Sequence, residues 1–320
     1  MKRTMLLLLV LLFSGCTVPA PDGVRPPDMP APETTDYVAP PAAEEADAPE
    51  EPPEPSEPSL PTASAEDRFP DRFSETPEYG EKSYKSGSVA VTITTHTVSD
   101  TYGKIVSYHV ADIYVKDVAS IRTAAAGSDF HSHRERAVKD IADGVGALLA
   151  IDGDTFTHMQ SGLVVRNGEI YRDTLCEGTD VCILYRDGRM ETKRWGSFTA
   201  QEILDADPWQ VWSFGPALLD ENGRSTEVES NLNGHNPRAA IGYFEPGHYC
   251  FVIVDGRQDG WSDGVRLPAL SRLMEDLGCK AAYNLDGGNS AQMYWNGEIV
   301  SKACGSGRVV SDIVYLLPEE

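Results

Sequence analysis

Two apolar stretches of the sequence end in an aspartate and a glycine, and residues that can bind an anion or a sugar follow. Residues 251–257 end in Asp-Gly-Arg, and residues 283–290 end in Asp-Gly-Gly-Asn-Ser. Glycines after a carboxylate let a substrate or another chain approach the backbone closely, and loops at strand ends often carry catalytic groups. Asp-Gly also makes ordinary tight turns, as we expect at residues 187–188. The whole stretch from 283 to 290, however, indicates a functional loop around Asp286.

Strand patterns surround these loops. A continuous apolar run over residues 147–151 predicts a buried strand that ends at Asp152-Gly153-Asp154. Asn-Gly at 167–168 and Asp-Gly at 187–188 lie between apolar runs and predict two β-hairpins. Further strands are predicted at residues 88–98, 105–115, 239–242, 249–254, 281–285, 291–295 and 313–317.

Helix patterns occur at residues 134–143, 199–205 and 267–277. The last is the clearest, because its leucines share one face, a proline suits its first turn and Gly278 follows it. Thr199, with Glu202 three residues later, is typical of a capping box. The sequence thus predicts an α+β fold, with one strand-rich mixed α/β domain and a few packed helices over residues 80–320.

The N-terminal part of the chain has a different composition. The 320 residues carry 27 basic and 50 acidic side chains, a net charge of −23, which excludes a nonspecific nucleic-acid coat because that function needs basic surface. Sixteen of the 22 prolines lie between Pro19 and Pro77, and residues 17–67 hold 13 acids against one base. Such a segment cannot bury enough apolar surface to offset its ordering entropy. Residues 17–79 are therefore predicted to form a disordered tether.

The first 16 residues resemble a bacterial lipoprotein signal. Lys2 and Arg3 precede an apolar run from Met5 to Phe13 that is too short to span a bilayer, and Cys16 follows two small residues. In such signals the cysteine is acylated after cleavage, so lipidation of Cys16 is expected; plain secretion is the alternative. The resemblance implies a protein that is lipid-anchored at the bacterial cell membrane, with its domain facing outside the cytoplasm.

Five cysteines remain after Cys16, and an odd number cannot all pair within one chain. A bridge between Cys176 and Cys182 would close a short loop, whereas buried free thiols are the other interpretation. None of the cysteine spacings matches a zinc site.

The segment at residues 284–290, Asn-Leu-Asp-Gly-Gly-Asn-Ser, resembles the N-L-D-G-G-G-S signature of the phosphodiester glycosidase family, whose bacterial members include exopolysaccharide proteins. Further segments, in the same order as in that family, extend the resemblance from Ile151 to Leu317. They are residues 151–154 (Ile-Asp-Gly-Asp), 162–168 (Gly-Leu-Val-Val-Arg-Asn-Gly), 214–218 (Phe-Gly-Pro-Ala-Leu), 236–242 (Asn-Pro-Arg-Ala-Ala-Ile-Gly) and 254–257 (Val-Asp-Gly-Arg).

Several positions depart from the family's pattern. Asp152 stands where asparagine is usual, Asn289 replaces the third glycine, Ala239 replaces a threonine, and Ala291-Gln292 replaces a Ser/Thr-Thr pair. Because these changes surround one site, they bear on the identity of the substrate more than on the fold.

The resemblance implies an enzyme that hydrolyses a sugar C1–O bond whose leaving group is a phosphate ester. Phosphate leaves readily, so the site chiefly needs an anion holder and a carboxylate near the oxocarbenium-like carbon. Asp286 is the expected nucleophile or general base, and Asp255 and Asp152 are candidates for a second carboxylate or for sugar contacts. The expected substrate-binding residues are Arg238, Arg257, Asn284, Gly287, Gly288, Asn289, Ser290 and Asp154.

These binding residues have distinct expected roles. The two arginines suit bidentate binding of phosphate, although Arg257 could instead pair with Asp255 or Asp259. The glycines at 287–288 could offer backbone N–H groups to an anion.

No cofactor is expected. Asp152 and Asp154 together could hold a divalent cation, but a single D-x-D pair is a weak signal. His235 is a possible acid or base, and Trp261 could stack on a sugar.

The leading hypothesis is an extracytoplasmic hydrolase that cleaves sugar-1-phosphodiesters in cell-surface or capsular glycans. Its partners would be the glycan phosphodiester substrate and, through the lipid anchor, the membrane, with no nucleic acid. Two alternatives stay open. One is a non-catalytic lipoprotein that binds surface glycans or assists polysaccharide assembly, and the other is a glycosidase acting on non-phosphorylated glycans.

Overall fold

The computed structural model describes residues 68–100, 103–228 and 233–319, and within these ranges the chain forms 17 strands and three α-helices. In chain order the strands are β1 (Glu78–Tyr79), β2 (Ser83–Lys85), β3 (Val89–Ser99), β4 (Ile105–Val115), β5 (Arg122–Ala125), β6 (Leu149–Asp152), β7 (Val164–Arg166), β8 (Glu169–Arg172), β9 (Val181–Tyr185), β10 (Met190–Lys193), β11 (Pro208–Trp212), β12 (Arg238–Glu245), β13 (His248–Val254), β14 (Ala281–Asn284), β15 (Met293–Trp295), β16 (Glu298–Ile299) and β17 (Asp312–Leu316). The helices are α1 (Val138–Val145), α2 (Ala200–Asp205) and α3 (Leu267–Asp276).

The strands form three sheets in which every described pairing is antiparallel. The first sheet has seven strands in the order β1-β2-β3-β4-β13-β12-β14. The second has the order β10-β9-β11-β7-β8, and the third has the order β16-β15-β6-β17-β5. Antiparallel neighbours can be joined by short hairpins rather than by crossover helices, so few helices are needed.

Apolar side chains from all three sheets meet in one core. Ile113 of the first sheet, Trp212 of the second and Leu149 of the third are fully buried there. Successive side chains of a strand point to opposite faces, so each sheet also has an outer apolar face, and one helix covers each. The helix residues buried in these outer contacts include Ile141 on α1, Ile203 on α2 and Leu270 on α3.

The predicted fold class is confirmed, since the domain is strand-rich with three packed helices. Helix α3 lies where the leucine pattern places it, and Thr199 and Glu202 form the predicted capping box of α2. Both predicted hairpins are present, β7–β8 and β9–β10. Helix α1 begins later than the predicted residue 134, because Arg136 exchanges backbone hydrogen bonds of 3.1 and 2.8 Å with Val310 and is held extended.

The packed chain begins before the predicted boundary at residue 80. The ring of Phe69 lies 5.0 Å from the ring of Tyr114, and the Arg72 guanidinium lies 4.5 Å above the same ring. Strand β1 pairs with β2 at the edge of the first sheet. Residues 68–79 therefore belong to the domain, because they supply contacts that no tether would make.

The predictions for the signal peptide, Cys16 and residues 17–67 lie outside the described residues. In the described ranges no helix is both long and apolar enough to cross a membrane. The five later cysteines are all free thiols, so the possible bridge between Cys176 and Cys182 is not formed.

Candidate active site

The ends of neighbouring strands bring the predicted site residues together. Strand β12 runs antiparallel to both β13 and β14, so its first residue, Arg238, lies beside the last residue of β13, Val254. Just past β14, the Leu285 N–H donates to Ala239 O at 2.9 Å. The loops that carry Arg257 and Asp286 consequently leave the sheet at the same edge.

This edge encloses a cavity of about 300 Å³. Most of the predicted site residues line it, and four lining residues are not among the predicted ones. The lining consists of Phe214, Asn236, Arg238, Arg257, Asn284, Leu285, Asp286, Gly287, Gly288, Asn289 and Arg308.

Backbone hydrogen bonds and an ion pair hold Asp286 at this cavity. Its side chain and backbone are 8% exposed, and its N–H donates to Gly153 O at 3.0 Å. One carboxylate oxygen accepts the Gly287 N–H at 2.9 Å, and the other forms an ion pair with Arg308 Nη2 at 2.5 Å. The Gly287 N–H and the Arg308 guanidinium therefore fix the orientation of the carboxylate, as a positioned nucleophile or base requires.

Arg257 is the exposed cation of the cavity. Its backbone φ is +57°, an uncommon value for a residue with a side chain. Its guanidinium donates to Asn236 Oδ1 at 2.7 and 3.1 Å and to Asn289 Oδ1 at 3.0 Å. Neutral amides thus orient Arg257, instead of the predicted alternative partners Asp255 and Asp259, and its charge is available to an anion.

Arg238 is the buried cation, only 3% exposed. It donates to Val265 O at 3.2 Å and to Gly234 O at 2.8 Å. Burial, together with the charge of Arg257, lowers the pKa of Arg238 to about 10, so the side chain stays protonated at neutral pH. An anion between the two arginines would offset both their repulsion and the cost of burial.

Asn284 presents a hydrogen-bond acceptor whose orientation is fixed. Its Nδ2 donates to Gly215 O at 2.8 Å and to Leu285 O at 2.9 Å. These bonds fix the amide so that its buried Oδ1 has no partner among the described residues. A buried acceptor without a donor is costly, and a sugar hydroxyl in the cavity could satisfy it.

The glycines at 287–288 do not form the predicted anion nest. The Gly287 N–H donates to Asp286, and the Gly288 N–H donates to Pro237 O at 2.9 Å, so neither is open to substrate. These two glycines instead allow neighbouring groups to lie close to the loop backbone. A Cβ at Gly287 would lie 2.9 Å from Pro237 O, and one at Gly288, where φ is +61°, would lie 3.3 Å from Arg257 Nη1. Larger residues would push the loop away from the arginine.

Asp255 does not line the cavity. It is 2% exposed and accepts hydrogen bonds from Trp261 Nε1 at 2.9 Å and the Lys302 N–H at 3.0 Å, with His109 Nε2 at 3.3 Å. Its carboxylate therefore anchors the following loop. Trp261, which was considered for sugar stacking, supports the same anchor and lies outside the cavity lining, as does His235, whose Nδ1 bonds to Gly264 O.

Asp152 lies behind the site, fully buried, with one oxygen accepting the Gln292 N–H at 3.2 Å. Burial and the nearby charge of Asp286 raise the pKa of Asp152 well above its usual range. Because it is fully buried and absent from the cavity lining, Asp152 is not placed to act on a substrate as a second carboxylate. Its role is to stabilise the floor beneath Asp286 rather than to reach a substrate.

Asp154 belongs to a buried ion cluster instead of the binding surface. It pairs with Arg166 Nη2 at 2.9 Å and accepts the N–H groups of Phe156 and Ser213. Arg166 also pairs with Asp312 at 2.9 Å. Because these contacts occupy Asp154, the Asp152–Asp154 pair does not present two free carboxylates to a cation. In the described ranges no group of three or more His, Cys, Asp or Glu side chains could hold a metal ion.

Two polar side chains complete the surroundings of Asp286. Ser290 lies outside the cavity lining, where its Oγ accepts a hydrogen bond from Arg308 Nε at 2.9 Å. Arg308 thus holds the carboxylate and the serine together. Sequence reasoning missed Arg308, since it lies 22 residues beyond Asp286 in a glycine-rich loop. In the sequence, Arg308 is an isolated arginine shortly before the last strand, and no motif marks it as a site residue.

Comparisons with known proteins identify the family to which this chain belongs. A family model described as phosphodiester glycosidase matches residues 145–317, more than half of the chain. The chain therefore belongs to the phosphodiester glycosidase family. The resemblance of the 284–290 loop to that family is thereby confirmed.

Two particular proteins are similar to this chain. The SPbeta prophage-derived uncharacterized protein YomE of Bacillus subtilis (strain 168) is 28% identical over 162 residues, 48% of this chain. The match spans only a quarter of that protein's length. The zebrafish N-acetylglucosamine-1-phosphodiester alpha-N-acetylglucosaminidase catalytic domain, auto-inhibited by pro-peptide, has a TM-score of 0.59 and 21% identity, covering 76% of this chain and 88% of that chain. This second likeness shows a shared fold.

Proposed function

We propose that this protein is an extracytoplasmic hydrolase that cleaves the sugar C1–O bond of sugar-1-phosphodiesters in cell-surface or capsular glycans. The observation that carries the proposal is the cavity in which three arginines surround a single carboxylate, Asp286. Family membership supports the reaction class. The zebrafish enzyme of similar fold is named for an N-acetylglucosamine-1-phosphodiester, which suggests the first substrate to test.

The charged side chains of the cavity, together with Asn284, have distinct roles in this reaction. Arg238 and Arg257 hold the phosphate and stabilise the negative charge that grows on it as the C1–O bond breaks. Asn284 Oδ1 accepts a hydrogen bond from a sugar hydroxyl. Asp286 attacks C1, or activates the water that does so, while Arg308 orients the carboxylate. No second carboxylate lines the cavity among the described residues, which suits a phosphate leaving group because it needs little proton donation.

The first test replaces the carboxylate. Asp286→Asn should lower turnover of a synthetic N-acetylglucosamine-1-phosphodiester at least about a hundredfold, the scale typical of positioned acid–base groups. Asp259→Asn, an exposed residue outside the cavity, is the matched control and should keep normal turnover. Near-normal turnover by Asp286→Asn would refute the mechanism. Binding of the phosphodiester by the wild-type protein without turnover would favour the non-catalytic glycan-binding alternative.

The second test separates phosphorylated from neutral substrates. Arg238→Ala should reduce kcat/KM on the phosphodiester more than on a matched neutral glycoside, because only the former loses a charge-assisted contact. Arg272→Ala, with an exposed side chain on α3, is the control. Equal losses on both substrates would favour a glycosidase that acts on non-phosphorylated glycans.

The proposed location rests on the N-terminal sequence. If Cys16 is the acylated end of a cleaved signal, intact-mass analysis of the native protein should show lipid mass on an N-terminal Cys16. A mature chain that begins at another residue and carries no lipid would support plain secretion instead.

A further inference from the structure

A second cavity, of about 680 Å³, has an aromatic lining. We call it the aromatic cleft, and the residues that define it are Phe130, Phe156, Tyr171, His131, His133 and His158. The ring of Phe130 lies 5.0 Å from that of Tyr171 and 5.7 Å from that of Phe156, and His131 lies 5.1 Å from Tyr171. Phe130 and Tyr171 are half-buried, so part of each ring is open to a ligand.

The charge of the cleft contrasts with that of the chain. Although the sequence has 50 acidic side chains, no Asp or Glu is among the described residues that line the cleft, whereas three histidines and Arg172 are. The Arg172 guanidinium donates hydrogen bonds to backbone oxygens. His158 pairs at 2.7 Å with Glu135, which is not one of the lining residues. His131 and His133 remain exposed at the opening.

The aromatic cleft adjoins the candidate active site through two short segments. Gly153 O accepts the Asp286 N–H, and Thr157, four residues later, lines the cleft. Four residues span at most about 14 Å. The Thr157 hydroxyl is hydrogen-bonded to the hydroxyl of Ser311, which lies three residues beyond Arg308. The cavity at Asp286 and the aromatic cleft are therefore separated by only a few residues along each of these two segments.

We propose that the aromatic cleft binds a neighbouring sugar-phosphate unit of a polymeric substrate while another unit occupies the cavity at Asp286. The exposed faces of Phe130 and Tyr171 contact the apolar face of a sugar ring, since aromatic rings contribute large contact areas at low entropic cost. His131 and His133 face its phosphate. This inference rests on the proposed function and makes the natural substrate a polymer of sugars joined through C1 phosphodiesters.

The test compares two probes of the same chemistry, a synthetic hexamer of N-acetylglucosamine 1-phosphate units and the methyl phosphodiester of a single unit. Tyr171→Ala should lower kcat/KM on the hexamer about threefold to tenfold and leave the single-unit value unchanged. Ile170→Ala is the matched control, because Ile170 is the preceding residue of β8, is 55% exposed and lies outside the cleft lining. Phe130→Ala serves as a second variant, so a Tyr171→Ala protein that fails to fold does not end the test.

Binding separates this inference from the proposed function. In an Asp286→Asn background, calorimetry with the hexamer should show the same weakening on Tyr171→Ala or Phe130→Ala. If the wild type hydrolyses neither probe, the proposed function fails, yet the binding comparison still decides the role of the cleft. Equal effects of the aromatic substitutions on both probes, or no effect on hexamer binding, would overturn the inference.

Discussion

Arg308 connects the chemistry of Asp286 to the last strand of the fold. Its guanidinium bonds to the carboxylate through Nη2 and to Ser290 through Nε. A single planar fork thus fixes two groups, which a lysine ammonium cannot reproduce with the same geometry. The orientation of the Asp286 carboxylate therefore depends on its ion pair with Arg308.

We expect Arg308→Ala to lower kcat on the phosphodiester about tenfold to a hundredfold, because a misplaced catalytic group can cost that much. Arg308→Lys should recover part of the loss, since it restores the charge but not the second hydrogen bond. Steady-state kinetics on the three proteins provides the measurement. Wild-type kcat in Arg308→Ala would show that Asp286 does not depend on this arginine.

At the scale of elements, a buried ion cluster joins two sheets. Arg166 on β7 of the second sheet pairs with Asp312 on β17 of the third and with Asp154 just after β6. The single guanidinium of Arg166 thus forms ion pairs with two carboxylates, and all three side chains are buried. Burial raises the pKa of Asp312 from 3.8 to about 7.

This shift predicts how stability changes with pH. Between about 4 and about 7 the folded protein holds a proton on Asp312 that the unfolded chain has released, so the free energy of unfolding should fall as pH rises through this range. Asp152, whose pKa burial also raises, acts in the same direction. Urea unfolding at pH 4.5 to 7.5 should show a shallower fall for Asp312→Asn, while the exposed-site control Asp187→Asn keeps the wild-type slope. Identical slopes in all three proteins would contradict the shift.

Helix α3 stabilises the outer face of the first sheet. Leu270 is fully buried with Val252 and Met274 in that contact. Leu270→Ala should lower the free energy of unfolding by about 2–5 kcal/mol, through lost burial and the cavity left behind. Arg272→Ala on the same helix should change it by less than about 0.5 kcal/mol. Urea denaturation distinguishes the two, and equal small effects would mean that α3 contributes little.

At the scale of the whole molecule, the composition changes near the start of the packed domain. Residues 17–67 carry 13 acids and one base, whereas Phe69 and Arg72 already contact Tyr114. Limited proteolysis of the full chain is expected to leave a resistant fragment that begins close to residue 68. Removing residues 17–67 should leave Tm and kcat/KM unchanged. Hydrogen-exchange protection throughout residues 30–65 would refute this expectation.

The sequence by itself determined the features that depend on neighbours along the chain. The hairpins at 167–168 and 187–188, the capping box at Thr199 and the extent of α3 follow from local turn chemistry and periodicity. The family motifs at 236–242, 254–257 and 284–290 likewise marked three of the loops that meet at one sheet edge.

Only the tertiary structure decided which of the marked residues face the cavity. Asp255 and Asp286 look alike in sequence, because each follows an apolar strand and precedes glycine. His109, 146 residues away, and Trp261 cover Asp255, whereas Asp286 lines the cavity at the sheet edge where β12 begins and β14 ends. Arg308 reaches Asp286 from the segment before β17. Burial and pairing between distant segments depend on how sheets pack, and a local pattern carries no information about that packing.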